Sequence, residues 1–156
     1  MAETPWQPIS FHEVQKNYQP SDILILDRND FPLDVVRVYD RHRSLAWGEW
    51  SQVSAPFQSL LVQVEDKRFY EHHGVDSIAL LHSLWQSLFH SRRRGASTIT
   101  MQLAGLLHPK AKKENILSGL QRKIKQIFFA RKIEKSWSKT EILEAYVNLI
   151  SFRGEL

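Results

Sequence analysis

The chain has no cysteine among its 156 residues, so neither a disulfide framework nor a thiolate metal site is open to it. It has no apolar run near the ~18 residues that a membrane-spanning helix needs. Its first residues, Met1 to Trp6, lack the basic start and apolar centre of a secretory leader. The expectation is a soluble or peripheral chain, working in the cytosol or carried out by a targeting segment that lies outside this sequence. Glycine and proline are sparse at 6 each, and no internal repeat or low-complexity linker interrupts the pattern. The composition that remains is 42% hydrophobic and 24% charged. That balance supports one domain with a real core and excludes a disordered chain.

Charge is unevenly spread. Residues 1–60 carry 5 Lys and Arg against 8 Asp and Glu, while residues 61–156 carry 16 against 9. The halves therefore stand at −3 and +7, within a total of +4. A basic half favours an anionic partner: nucleic acid, phospholipid headgroups or a phosphorylated substrate. Nucleic acid is the weakest of the three, since no recognition motif is present and few aromatics interleave with the basic run.

Residues 1–20 read as an irregular lead-in. Asp22–Asp27 and Leu33–Tyr39 are apolar, β-branched runs on either side of Arg28-Asn29-Asp30, which predicts a β-hairpin whose second strand is limited by Pro32. Leu45-Ala46-Trp47 is expected to add a third short strand. After Trp50 the apolar period changes from 2 to 3.6. Ser54 and Pro56 start a helix with the stripe Phe57, Leu60, Leu61 and Val64, and Gly74 is its expected stop. Asp76 caps a second helix whose stripe of Ile78, Leu81, Leu84, Trp85 and Leu88 is expected to be core. A basic turn, Arg92-Arg93-Arg94-Gly95, leads to a helix capped by Ser97 or Thr98 and continuing through Leu106. A basic loop over 108–113 precedes an amphipathic helix from Ile116 to about Lys135. Its inward face is expected to hold Leu117, Leu120, Ile124, Ile127 and Phe128, with Arg122, Lys123, Lys125, Arg131, Lys132 and Lys135 on the cationic side. Ser138-Lys139-Thr140-Glu141 is a capping box for a last helix through Tyr146 to Asn148. The expected division is a lead-in and β-stub over 1–50 and a helical domain over 51–156.

One stretch, Leu60 to Gly74, concentrates chemistry. At about 100° per residue, Leu61, Glu65, Phe69 and His72 share a helix face, and Asp66 lies roughly a quarter-turn away. A carboxylate held against apolar surface is desolvated, which favours its neutral form and suits it to proton transfer. A glutamate at the edge of a buried stripe, paired with Lys or Arg, gives the same pattern. Likewise, the start of the Ser97–Thr98 helix offers free N–H groups to an anion, and an ordinary capped helix shows the same letters. The cationic side of the 116–135 helix is either a solvated face or, together with Arg92–Arg94, an anion-binding surface.

Taken in order, these stretches resemble the peptidoglycan glycosyltransferases (glycosyltransferase family 51), the transglycosylase module of bifunctional penicillin-binding proteins. The family's E-D-x-x-F-x-x-H-x-G motif is matched by Glu65, Asp66, Phe69, His72 and Gly74. G-x-S-T-I-T-Q-Q is matched by Gly95, Ser97, Thr98, Ile99, Thr100 and Gln102, with Met101 in place of the first glutamine. K-x-x-I-L-E-x-Y-L-N is matched by Lys139, Ile142, Leu143, Glu144, Tyr146 and Asn148, with Val147 for leucine. For R-K-x-x-E, the family's spacing selects Arg122 and Lys123 and puts Gln126 where many members have a second glutamate. Arg131-Lys132-Ile133-Glu134 fits the letters but lies too close to the following motif. Glu134 is about 12 Å further along the helix and rotated by roughly 80°, so it does not reach the same place. Met101 and Gln126 together resemble the 1C-type branch.

The resemblance implies a mainly α, lysozyme-like module with a small N-terminal β-hairpin stub, incomplete at its C-terminus. The family's downstream arginine segment, membrane anchor and transpeptidase domain have no counterpart here, so the chain is expected to be a fragment or truncated product. The implied reaction polymerises lipid II on a lipid-linked glycan chain, with inversion at the donor anomeric carbon and release of polyprenyl pyrophosphate. Glu65 is the implied general base. Asp66, Phe69, His72, Ser97, Thr98, Gln102, Arg122, Lys123, Gln126 and Lys139 are the implied substrate-binding residues. No cofactor is required and no metal ligands are assigned, although Mg2+ or Mn2+ could share the leaving-group role. The implied setting is the outer face of the bacterial cytoplasmic membrane, against the lipid surface and without nucleic acid. Two other readings stay open: a truncated module that binds lipid-linked glycan or membrane without turnover, and a lysozyme-like muramidase.

Overall fold

A computed structural model describes residues 10–38, 44–82, 97–108 and 116–150. Residues 1–9, the stripe positions Leu84, Trp85 and Leu88, the basic turn at 92–95, the basic loop after His108 and the tail from 151 lie outside the described residues, as does the side chain of Leu117. In chain order the elements are α1 (Phe11–Asn17), β1 (Asp22–Leu26), β2 (Pro32–Arg37), a 3-10 turn at Trp50–Gln52, α2 (Ala55–Glu65), α3 (Ile99–Leu106), α4 (Ile116–Ser136) and α5 (Lys139–Leu149). The protein is mainly helical with one antiparallel hairpin. Among the described residues no helix is long and apolar enough to cross a membrane.

The hairpin forms as its sequence predicts, with Asp22 opposite Arg37 and Ile25 opposite Asp34. Its turn is held by Asp27, whose Oδ1 accepts from the N–H groups of Asn29 and Phe31 at 2.7 and 2.9 Å. Asp30 takes a left-handed φ of 64° there, a conformation that Asp tolerates better than most residues. Both faces of the ribbon are exposed, including Ile23, Leu24, Val35 and Val36. The third strand expected at Leu45–Trp47 does not form. That segment is used otherwise: Tyr18 donates to the Leu45 carbonyl at 2.8 Å, and the Trp47 ring packs edge-on against Phe11 and Tyr18.

The core is built by α3, which packs against both α4 and α5. Ile99, Leu103, Phe129, Ile133, Ile142 and Tyr146 meet there almost without exposure. Burying each large apolar side chain of this kind stabilises the fold by roughly 1.5–3 kcal/mol. The capping box is present as read, with Ser138 accepting from the Glu141 N–H and the Glu141 carboxylate accepting from the Ser138 N–H. Glu144 of α5 reaches back to accept from Trp47 Nε1 and the Trp50 N–H at 2.8 and 2.9 Å. Asn148 exchanges hydrogen bonds with the Gly48 backbone, so α5 clasps the segment that leads into α2.

The lead-in over residues 1–20, expected to be irregular, contains α1, whose N-cap Ser10 accepts from the Glu13 N–H and whose Val14 is buried. Three further local expectations are corrected. First, α2 ends at Glu65 and not near Gly74. Asp66 caps it with φ −157° and ψ 77°, and residues 67–74 are turns and bends. Of the expected stripe only Leu61 is buried, while Phe57, Leu60 and Val64 are exposed. Second, Ile78 and Leu81, expected in the core, are exposed. Third, α4 is rotated from the face chosen by hydrophobicity. Leu120, Ile124 and Phe128 are exposed, and Gln126, Phe129, Ala130 and Ile133 face inward. On this inward face α4 meets Gly74, which at φ 86° approaches its backbone so closely that a Cβ would meet the Ala130 carbonyl carbon and oxygen at 2.8 Å.

Candidate active site

Ending α2 at Glu65 gives the two adjacent carboxylates opposite surroundings. Glu65 is exposed and Asp66 is buried. The expectation that Glu65 lies against Phe69 and His72 on one helix face is therefore corrected, because the helix stops before either residue.

Asp66 is spent inside the protein. His72 Nε2 lies 2.9 Å from each of its carboxylate oxygens, and Oδ2 accepts from the Ile99 N–H at 3.1 Å. Thr98, the N-cap of α3, accepts from the Met101 N–H at 3.1 Å while its own hydroxyl donates to the Gly74 carbonyl at 2.6 Å. The start of α3 thus binds an internal carboxylate, which its positive dipole end favours. This corrects the expectation of free N–H groups held ready for an anion. Phe69 is fully buried and its ring lies under the Lys139 ammonium, 4.3 Å from the centroid. Lys139 also donates to the His72 carbonyl at 2.7 Å and pairs with Glu134 at 2.8 Å. Glu134 in turn accepts from the Thr100 hydroxyl at 2.7 Å, so its side chain belongs to this seam and not beside Glu65. Arg68 forms a two-point ion pair with Asp76, which also accepts from the Ala79 N–H at 2.8 Å. Burial pushes the Asp76 carboxyl up, but the Ala79 N–H, the Arg68 guanidinium and His72 outweigh it and hold the group below its usual range.

The Glu65 side is open. A cavity of about 340 Å³ is lined by Val64, Glu65, Asp66, Ser97 and Thr98 with the Arg68–Asp76 pair. Gln102 Nε2 donates to Glu65 Oε2 at 2.9 Å, and the Tyr146 hydroxyl donates to Gln102 Oε1 at 3.0 Å. Ser97 receives a hydrogen bond from the Lys123 ammonium. Burial, and the charge of neighbouring Arg122, hold Lys123 below the ordinary lysine range. A second, smaller cavity of about 180 Å³ is lined by Gln102, Gly105, Arg122, Gln126 and Ile150. Gln126 is buried and pressed onto α3, where a Cβ on Gly105 would stand 2.5 Å from its Nε2.

Glu65 and Ser97 line the larger cavity, Gln102, Arg122 and Gln126 line the smaller one, and Lys123 is tied to the first through Ser97. Phe69, His72 and Lys139 are drawn into the seam behind, while Asp66 and Thr98 border the larger cavity and bond back into that seam. Tyr146 and Glu134 were the residues that periodicity could not place, because their partners come from other helices. Chemically, the open side offers an accessible carboxylate oriented by an amide, with a hydroxyl and cations nearby. A pair of facing carboxylates, as glycoside hydrolysis commonly uses, is not formed, since Asp66 is turned inward. Asp66 is committed to His72 and Ile99, and among the described residues no group of three or more His, Cys, Asp or Glu gathers. No step is therefore assigned to a bound ion.

Compared with known proteins, residues 33–156 match the family model described as Transglycosylase. The chain is 41% identical over 102 residues to penicillin-binding protein 1A of Escherichia coli, covering 64% of this chain and 11% of that protein. It is 34% identical over 138 residues to penicillin-binding protein 1A of Clostridium acetobutylicum, covering 85% of this chain and 16% of that protein. A biosynthetic peptidoglycan transglycosylase of Vibrio parahaemolyticus is 34% identical over 108 residues, covering 68% of this chain and 45% of that protein. The chain thus spans less than half the length of each of these relatives. The likeness to a 1C-type branch rests on Met101 and Gln126 alone.

Proposed function

Because this chain belongs to the transglycosylase family, whose model spans residues 33–156, we propose that it carries the sugar-transfer site of a peptidoglycan glycosyltransferase. The substrate read from that membership is lipid II, added to a lipid-linked glycan chain at the outer face of the cytoplasmic membrane. The acceptor 4-hydroxyl attacks the donor anomeric carbon, the configuration inverts, and polyprenyl pyrophosphate leaves. Glu65 takes the acceptor proton as general base, a contribution worth ~10²–10⁴-fold in this kind of catalysis. Negative charge grows on the departing pyrophosphate and needs fixed positive charge beside it. Lys123, Arg122 and the Ser97 hydroxyl are the groups the geometry offers, with Lys123 depressed by burial and by Arg122 in a way that an anion would relieve.

The observation that carries this reading is the position of Glu65. It is an exposed carboxylate on the wall of a 340 Å³ cavity, aimed by a hydrogen bond from Gln102 of a different helix. The test is Glu65→Gln in a lipid II polymerisation assay. The rate is expected to fall by roughly 10²–10⁴-fold with the melting temperature unchanged. Full polymerase activity in that variant would sink the assignment.

A second reading is favoured by Gln126. Among the described residues, the cavity that it shares with Gln102 and Arg122 has no carboxylate in its lining, which favours a chain that holds lipid-linked glycan without turning it over. Binding of lipid II vesicles that persists with no polymer formed, in both this chain and a longer one, would establish that reading instead.

A further inference from the structure

We infer that Tyr146 is a positioning residue for Glu65: its hydroxyl fixes the Gln102 amide so that the amide N–H, and not the amide carbonyl, meets the carboxylate. The inference rests on the reading of Glu65 as the base and extends it into the protein interior.

The argument begins with hydrogen-bonding capacity. An ionised carboxylate only accepts, so the partner facing Glu65 must donate. A glutamine can turn either end of its amide outward at almost no intrinsic cost, and left alone it would present a carbonyl to Glu65 for part of the time. A carbonyl there repels the carboxylate. The second partner of Gln102 removes the ambiguity. Tyr146 donates to Oε1 at 3.0 Å, and this leaves Nε2 for Glu65 at 2.9 Å. For the arrangement to hold, Tyr146 must keep its proton. Burial, and secondarily the charge of Glu65, push its hydroxyl up to about 12, so it remains a donor throughout the range in which an enzyme of this kind works.

The anchor is also rigid. Tyr146 is fully buried in the helix that carries Ile142 and Leu143, and Gln102 sits on α3 between buried Met101 and Leu103. The chain of two hydrogen bonds therefore joins the exposed end of α2 to two packed core helices. Near-attack geometry depends on this kind of support, because a misplacement of about 1 Å costs ~10²-fold in rate. Tyr146 touches neither substrate nor Glu65. It acts through Gln102.

The test uses this chain with Tyr146→Phe, which keeps the buried ring and removes only the hydroxyl. With the melting temperature close to that of the parent, kcat for lipid II polymerisation is expected to fall roughly 10- to 100-fold, with KM within about twofold. Gln102→Leu is expected to lower kcat likewise, and the double variant no more than either single one. Should Tyr146→Phe fail to fold, Gln102→Leu decides by the same readouts. A parent-like kcat overturns the inference, as does a loss confined to KM or melting temperature. Glu65→Gln run alongside separates the two levels. Full activity there removes the base itself, whereas a dead Glu65→Gln beside a parent-like Tyr146→Phe removes only the positioning role.

Discussion

Glu65 and Asp66 are adjacent in the chain and belong to two regions built on opposite terms. Behind Asp66, polar groups from different elements bond to one another: His72 and Ile99 on the carboxylate, Gly74 on Thr98, Glu134 and His72 on Lys139, Arg68 on Asp76, with the buried Nδ1 of His72 left without a hydrogen-bond partner among the described residues. Around Glu65 a cavity stays open, with Gln102 donating to the exposed carboxylate and Lys123 donating to Ser97 on the cavity wall. The first region uses its polar chemistry to lock turns and helix ends together. The second keeps hydrogen-bonding capacity in reserve for a ligand. Substitutions in the two regions should therefore separate cleanly, changing stability in one and rate in the other.

The largest effect expected is on the open side. Glu65→Gln should remove ~10²–10⁴-fold of the polymerisation rate and leave the melting curve in place, since its partner Gln102 can still hydrogen-bond to an amide. A variant that loses rate only because it melts early would break the comparison at its centre.

Next comes Gly74, in the closed region. Alanine there must hold φ 86° and push its Cβ to 2.8 Å from the Ala130 backbone. Strain of that kind, together with a backbone clash, costs about 3 kcal/mol or more. The melting temperature is expected to fall by roughly 10 °C or more. At temperatures where the variant stays folded, its polymerisation rate should remain near the parent value, and a rate loss in the fully folded protein would show that the two regions are not separable here.

How much of this was legible depended on how far each residue's partners lie along the chain. The Ser138–Glu141 box and the turn at Arg28-Asn29-Asp30 are local, and sequence alone placed them, while it narrowed the next helix cap to Ser97 or Thr98, of which the structure uses Thr98. The motif matches located the right stretches for Glu65 and Gln102. What periodicity could not give was the end of α2, because the groups that stop it at Asp66 are His72, six residues on, and the Ile99 N–H, 33 residues away. It also chose the wrong face of α4. Hydrophobicity pointed to Leu120, Ile124 and Phe128, whereas the inward face carries Gln126, Phe129, Ala130 and Ile133 and meets Gly74, 56 residues before Ala130 in the chain, through its backbone. The Gln102 bridge joins residues 37 and 44 positions away, and no local pattern encodes it.

A smaller and pH-dependent effect is expected at Asp76. Its folded-state carboxyl is held below the ordinary value of 3.8, so below that pH the unfolded chain takes up a proton before the folded one does. The stability that the group contributes is complete above about 3.8 and is lost as pH falls through its lowered value. Asp76→Asn keeps a side chain that caps about as well but loses the charge that pairs with Arg68, so it should cost roughly 0.2–1 kcal/mol at neutral pH and should flatten the acid arm of the stability curve. An acid arm that keeps the parent's slope would assign that dependence to another carboxylate.

The smallest effect, and the sharpest for the open side, is expected from Lys123→Arg. Burial and the nearby Arg122 hold the Lys123 ammonium below its ordinary value of 10.5. If this group faces the leaving pyrophosphate, activity depends on its proton and declines as pH rises through that lowered value. Arginine stays charged throughout, so the substitution should shift the alkaline limb of the pH–rate profile upward while the neutral-pH rate stays within about tenfold, the penalty of trading a compact ammonium for a planar fork. The stability change has the opposite sense. A lysine depressed by burial is destabilising while protonated, and that penalty fades as pH rises from the lowered value towards the unfolded one. The two limbs thus move for one reason, the cost of charge beside Arg122. An alkaline limb that stays in place in Lys123→Arg would take Lys123 out of the leaving-group site and leave Arg122 as the remaining cation there.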